Sequence, residues 1–253
     1  MKYTLQRASM WKRLSAWLLD AILLCITATL AAFLLSACLG YDQYSQTLNE
    51  RFAHYEAEYG VPRDLTEAQI TEMSPEELAR VEEASQALAQ DKEASYAYTM
   101  MMQLIILITS LSILAAYLLL EFLLPQLLHN GQTVGKKVFG LGVMRENGVR
   151  LNGVSLFTRT VLGKYTIETM IPVMMLLMLF FGSIGAVGLL ILGGIVVIQV
   201  LLLVTTRERT PIHDKLAGTV TIDLASQMIF QSEADRIAYQ EKAAAEKAAA
   251  QTY

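Results

Sequence analysis

Cysteine is almost absent from this chain. The two present, Cys25 and Cys38, stand 13 residues apart in one apolar run. That is about 20 Å along a helix, too far for them to bridge each other. No disulfide framework holds this fold, and the cysteines carry no message about redox compartment. Histidine is as scarce: His54, His129 and His213 lie in three separate segments. No His, Cys, Asp and Glu cluster has metal-ligand spacing, and no nucleophile elbow occurs. These gaps argue against an enzyme, a metal centre or a cofactor. The net charge of −4 likewise points to no nucleic-acid partner. Charge itself is missing in long blocks, and those blocks set the class of the protein.

What fills the blocks is apolar. Of the 253 residues, 54% are hydrophobic, and the mean hydropathy is +0.39. A helix needs roughly 20 apolar residues to cross a hydrocarbon core of about 30 Å. The run 14–39 qualifies with one charge, Asp20; it has no clean small-residue cleavage site and reads as a retained span. The run 99–128 qualifies with one charge, Glu121, and contains Pro125. The block 165–206 would be about 63 Å long as a single helix, twice a bilayer, and must fold back. Gly182 and Gly185 mark the turn, giving spans at 167–181, which holds Pro172, and at 186–206. The expected fold is an all-α membrane protein, a bundle of four transmembrane helices in contact with the lipid bilayer.

Basic residues set the expected orientation. Sixteen of the 20 Lys and Arg lie in the arm 1–13, the loop 129–166 and the segment 207–253. The positive-inside rule places these on the cytoplasmic side, with both termini. Trp11 and Trp17 flank that end of the first span as an aromatic belt would. The loop 40–98 then lies on the far side. It carries 13 acidic against four basic residues, and reads as a solvated acidic cap or a cation-collecting vestibule. Ser74 before Pro75 is an N-cap with proline at the first helical position, so a helical hairpin is expected there. In the loop 129–166, residues 137–144 read as a strand. Asn147-Gly148 supplies a turn, and 149–151 the return, making a small β-hairpin. Residues 154–164 read as an amphipathic interfacial helix with Arg159 and Lys164 on its wet face. The tail repeats Glu-Lys-Ala-Ala-Ala at 241–250, a charged helix with no apolar face and no assigned chemistry.

Ionisable groups in a membrane span are costly, so each is a functional candidate. Arg13, Asp20, Glu121, Lys164 and Glu168 all fall toward the basic end, and the other halves of the spans are uncharged. Arg13 and Asp20 share a face of one helix. Arg13 leans away from Asp20, because side chains tilt toward the N-terminus. Asp20 therefore needs a partner from another segment, a water-filled cavity or a proton, or else forms an ion pair that locks the bundle. After the last span, Asp214 is placed to reach back to Arg13. His213 beside it suits titration near neutral pH, unless the pair only caps a juxtamembrane turn.

Three blocks make the chain recognisable. They are Arg13 through Asp20, then Gly131-Gln132-Thr133-x-Gly135-Lys136-Lys137-x-x-Gly140, then His213-Asp214-Lys-Leu-Ala-Gly-Thr. In that order they resemble the RDD family of small prokaryotic membrane proteins, with 40–98 as an insertion. The resemblance implies Arg13, Asp20 and Asp214 as the family triad, a bacterial inner-membrane location, and transport of small ligands or ions. Cation/proton antiport is among the implied activities. On that reading Asp20 and Glu121 bind a proton or monovalent cation, while Arg13, Asp214 and His213 gate or tune them. Two copies pair into eight helices, and Gly182-x-x-x-Ala186 offers close helix packing. The alternative is a non-transporting scaffold whose acidic loop docks a partner. The glycine block is one residue short of a phosphate-binding loop and has Lys137 where Ser or Thr would hold magnesium, so no nucleotide is expected there.

Overall fold

The computed structural model describes residues 8–128, 131–182, 185–206 and 210–250. Residues 1–7, 129–130, 183–184, 207–209 and 251–253 lie outside them, and with them the two middle residues of the expected turn, Ser183 and Ile184. In chain order the helices are α1 (Met10–Leu39), α2 (Tyr41–Tyr59), α3 (Glu67–Glu72), α4 (Pro75–Gln90) and α5 (Lys92–Leu127). A short helix α6 (Val134–Val138) and strand β1 (Leu141–Arg145) follow, then α7 (Gly153–Phe180) and α8 (Ala186–Thr205). Helix α9 (Ile212–Ala217), strand β2 (Thr219–Asp223) and α10 (Glu233–Ala250) complete the described chain. Helices α1, α5, α7 and α8 are long and apolar enough to cross a membrane, which makes this a multi-pass, all-α membrane protein.

Two compact units form, Thr29–Ser112 and the remainder. In the first, the acidic segment is helical as expected. Thr66 and Ser74 each close a capping box, with Gln69 and Glu77. Leu48 is buried with Ala94 and Ala97, and Phe52, Leu88 and Met101 pack around them. Asp91 ties the ends together. One carboxylate oxygen accepts the Glu93 and Ala94 amides at the start of α5. The other accepts Arg51 Nε at 2.5 Å and the Tyr55 hydroxyl at 3.2 Å.

In the second unit the sheet differs from the expected hairpin. The Asn147-Gly148 turn forms, with Gly148 at φ 84° and its amide on the Arg145 carbonyl. The return at 149–151 meets β1 at one bridge, Arg150 to Met144, and Val149 bridges Phe230 instead. The partner of β1 is β2, antiparallel from Leu141↔Asp223 to Arg145↔Thr219. β2 wins because four of its five paired residues, Thr219 to Ile222, are β-branched, and Val220 and Ile222 are buried against Met144. Residues 137–138 belong to α6, not to a strand.

The expected interfacial helix is also corrected. Residues 153–164 are the first turns of α7, capped by Asn152, whose side chain accepts the Ser155 amide at 2.8 Å. With no proline between Gly153 and Pro172, the helix that carries the third span starts at Gly153 rather than near 167. Part of it is wound as a π-helix, Thr158–Met170, and so is Leu118–Leu123 in α5. Pro125 and Pro172 each follow such a stretch closely; a proline lacks its amide and crowds the preceding turn.

Candidate functional site

The π-helical winding explains which side chains meet. Arg159, Lys164 and Glu168 are five and four residues apart. At about 100° per residue they would spread around an α-helix. The i→i+5 pattern of a π-helix brings them onto one side. Arg159 is 2% exposed and Lys164 is buried as well, so neither is on a wet face.

The loop signature acts on Asp20. Gly131 turns the chain with φ 61°, and Gln132 Nε2 donates to the Leu141 carbonyl at 2.8 Å. Thr133 caps α6, accepting the Lys136 amide, and donates its hydroxyl to Asp20 Oδ2 at 2.5 Å. The Gly135 amide donates to Asp20 Oδ1 at 2.7 Å. A Cβ on Gly135 would collide with the Ala16 carbonyl and the Asp20 carboxylate, so only glycine lets the loop come this close to α1. Lys136 Nζ is 3.2 Å from Thr133 Oγ1 and 3.9 Å from Asp20 Oδ2. Gly140, at φ 68°, leads into β1.

A second knot forms around Asp214, which has no solvent exposure. Arg159 Nε donates to Oδ1 at 2.8 Å and Thr219 Oγ1 to the same oxygen at 2.7 Å. Arg13 reaches Oδ2 at 4.0 Å, so the expected pairing across the chain is present. Burial alone would push this carboxyl up, but Arg159, His213, Thr219 and Arg13 together hold it below the usual carboxylate range. His213 Nδ1 lies 2.7 Å from Glu168 Oε2, and its Nε2 lies 3.2 Å from Arg159 NH2. Those two contacts fit a neutral ring with its proton on Nδ1. Burial lowers its pKa, opposed by Asp214 and Glu168 and reinforced by Arg159 and Lys164. The close approach needs Gly163, where a Cβ would strike His213.

Glu121 is buried on α5 and accepts Lys164 Nζ at 2.5 Å. The ionisable groups among these border one cavity of about 770 Å³, whose other wall is apolar, from Leu14, Leu24, Val196 and Leu203 among others. Four acids (Asp20, Glu121, Glu168, Asp214) and four basic side chains (Arg13, Lys136, Arg159, Lys164) line it together. Each acid has a basic group within 4.0 Å. Among the described residues the one buried side-chain nitrogen or oxygen without a partner is Arg236 Nε, in α10. The sequence candidates Arg13, Asp20, Glu121, His213 and Asp214 thus converge. Thr133, Gly135 and Lys136 of the loop signature join them as well, while Arg159 and Gly163 had not stood out as site residues. A 4–5 spacing test on 159–168 would have flagged Arg159.

A bundle of apolar spans around a charge-balanced polar cavity is a polytopic membrane protein with its ionisable groups gathered at one site. The model of the RDD family matches residues 7–218. The chain belongs to the RDD family. No curated protein and no solved structure matches it.

Proposed function

We propose that this protein is a transporter of a small ligand or ion that binds in the charged cavity, with cation/proton exchange as the specific activity. The observation that carries this is the cavity itself. A space of about 770 Å³ is in the size range of ligand sites, and it collects the ionisable side chains of three spans and two loops. Asp20 and Glu121 are the cation-loading carboxylates. A monovalent cation at Asp20 competes with Lys136, 3.9 Å away, and one at Glu121 displaces Lys164. Arg13, His213 and Asp214 close one end. Family membership supports a location in the bacterial inner membrane, and the basic-residue bias supports the cavity and both termini facing the cytoplasm.

The test is purified protein in liposomes holding a trapped pH dye. A sodium gradient should move protons with the wild type and not with Glu121→Gln. A wild type that moves none removes the proposal. A second reading, a non-transporting scaffold, is favoured by the complete pairing of the acids. It requires Asp20→Asn to cut yield and detergent-stable folding rather than flux.

A further inference from the structure

The four cations of the cavity are not equally neutralised. Arg159 has a carboxylate oxygen at 2.8 Å and Lys164 has one at 2.5 Å. Lys136 is different. It is 7% exposed, yet the acceptor within hydrogen-bond reach of its amine is the Thr133 hydroxyl at 3.2 Å, a neutral group. Its nearest acid, Asp20, stands 3.9 Å off. A buried ammonium needs a close counter-charge, and without one the neutral amine is favoured.

The surroundings push the same way. From α7, Arg159 and Lys164 face Lys136 with positive charge, while Glu121 on α5 and Asp20 on α1 oppose them. Arg13, Glu168, His213 and Asp214 border the same cavity farther round. Asp20, in contrast, does not depend on Lys136. Its two oxygens already accept the Gly135 amide and the Thr133 hydroxyl. Loss of a proton from Lys136 therefore leaves Asp20 with its hydrogen bonds, and the amine still has N–H to donate to Thr133.

We infer that Lys136, rather than an acid of the first or second span, is the group in this cavity that takes up and releases a proton. The step is R–NH3+ going to R–NH2 with the proton passing to cavity water. It takes the cluster of four acids and four cations from neutral to one net negative charge. The inference rests on the transport reading only for its use: one released proton makes room for one monovalent cation. Burial, with Lys164 and Arg159 adding to it and Glu121 and Asp20 opposing, brings Lys136 down to about 7, which agrees with the geometry.

The experiment is NMR of protein carrying 13C-labelled lysine side chains in micelles, with Lys136→Arg assigning the resonance and Lys136→Gln doing so if arginine does not fit. A lysine signal absent from the variant, with a midpoint between about 6.5 and 8, is expected; an ordinary lysine titrates near 10.4. A midpoint above about 9.5 overturns the inference. Sodium chloride in place of choline chloride at equal ionic strength should lower the midpoint. If the midpoint is near 7 but indifferent to sodium, and liposomes move no protons, the transport reading falls and the proton site stands.

Discussion

The Gly135 amide lies 2.7 Å from Asp20 Oδ1, across 115 positions of sequence. An acid in the first span is thus bound by the backbone of a distant loop. The family's Gly-Gln-Thr block is, in physical terms, the mould for that carboxylate: a left-handed turn at Gly131, a hydroxyl at Thr133 and a bare Cα at Gly135.

Gly135→Ala tests the mould. The added Cβ meets a backbone oxygen of α1 rather than a flexible side-chain end. The loop must withdraw and Asp20 loses its donors, so a cost at or above the ~1–3 kcal/mol typical of overpacking is expected. Thermal melting in detergent reads it; a melting temperature equal to that of the wild type contradicts the close approach.

Arg159→Met should destabilise strongly, because it leaves Asp214 buried beside the more distant Arg13. Breaking a buried pair costs roughly 3–5 kcal/mol. Arg159→Met combined with Asp214→Leu should recover part of that loss, since the buried charge goes with its partner. Additive losses in the double variant would show that the pair is not the coupled unit seen here.

Stability should depend on pH through Lys136. Its folded value, about 7, is below the unfolded value of about 10.4. Between those two the unfolded chain holds a proton that the folded one lacks. Stability therefore rises with pH from about 7 to 10, by at most about 1.4 kcal/mol per pH unit from this group. His213 and Asp214 act at lower pH and with the same sign: each is lowered on folding, so its contribution is lost as pH falls through the folded value. Melting curves against pH for wild type and Lys136→Met should diverge above pH 7, the variant being flatter; parallel curves refute the shift.

Asp91→Ala should loosen the unit from Thr29 to Ser112. It removes the acceptor for two amides at the start of α5 and for Arg51. Hydrogen exchange at residues 92–95 should speed up, with exchange around Asp20 unchanged. No change at 92–95 would show that Asp91 is not the clamp.

Orientation is checked with single cysteines in a background lacking Cys25 and Cys38. A cysteine at Ser85 should react with a membrane-impermeant thiol reagent in intact cells, and one at Ala245 only after lysis. The reverse pattern inverts the proposed topology.

Much of the architecture was legible. Hydropathy gave the number of spans, and Ser74 with Pro75 marked the start of α4. The three family blocks held most of the residues that converge. The misses have physical causes. The Asn-Gly turn was real, but a three-residue return lost its place to β2, whose β-branched run Thr219–Ile222 and Asp223 pair with five positions of β1. Arg159 and Lys164 were put on a wet face because they are charged, and the chain there is wound as a π-helix that buries both.

By itself the sequence determined that this is a four-span membrane protein with its charges gathered toward one end. The cost of a charge in hydrocarbon attaches to each residue and sums along the chain, so it can be read in order. Only the tertiary structure decided that Asp20 is held by Thr133 and Gly135, that Asp214 takes Arg159 as its closest cation, and that Asp20, the acid paired with Lys136, stands beyond hydrogen-bond reach of its amine. Pairing energies depend on separations of a few ångströms between segments far apart in the chain, and on helical winding, neither of which is written in residue order.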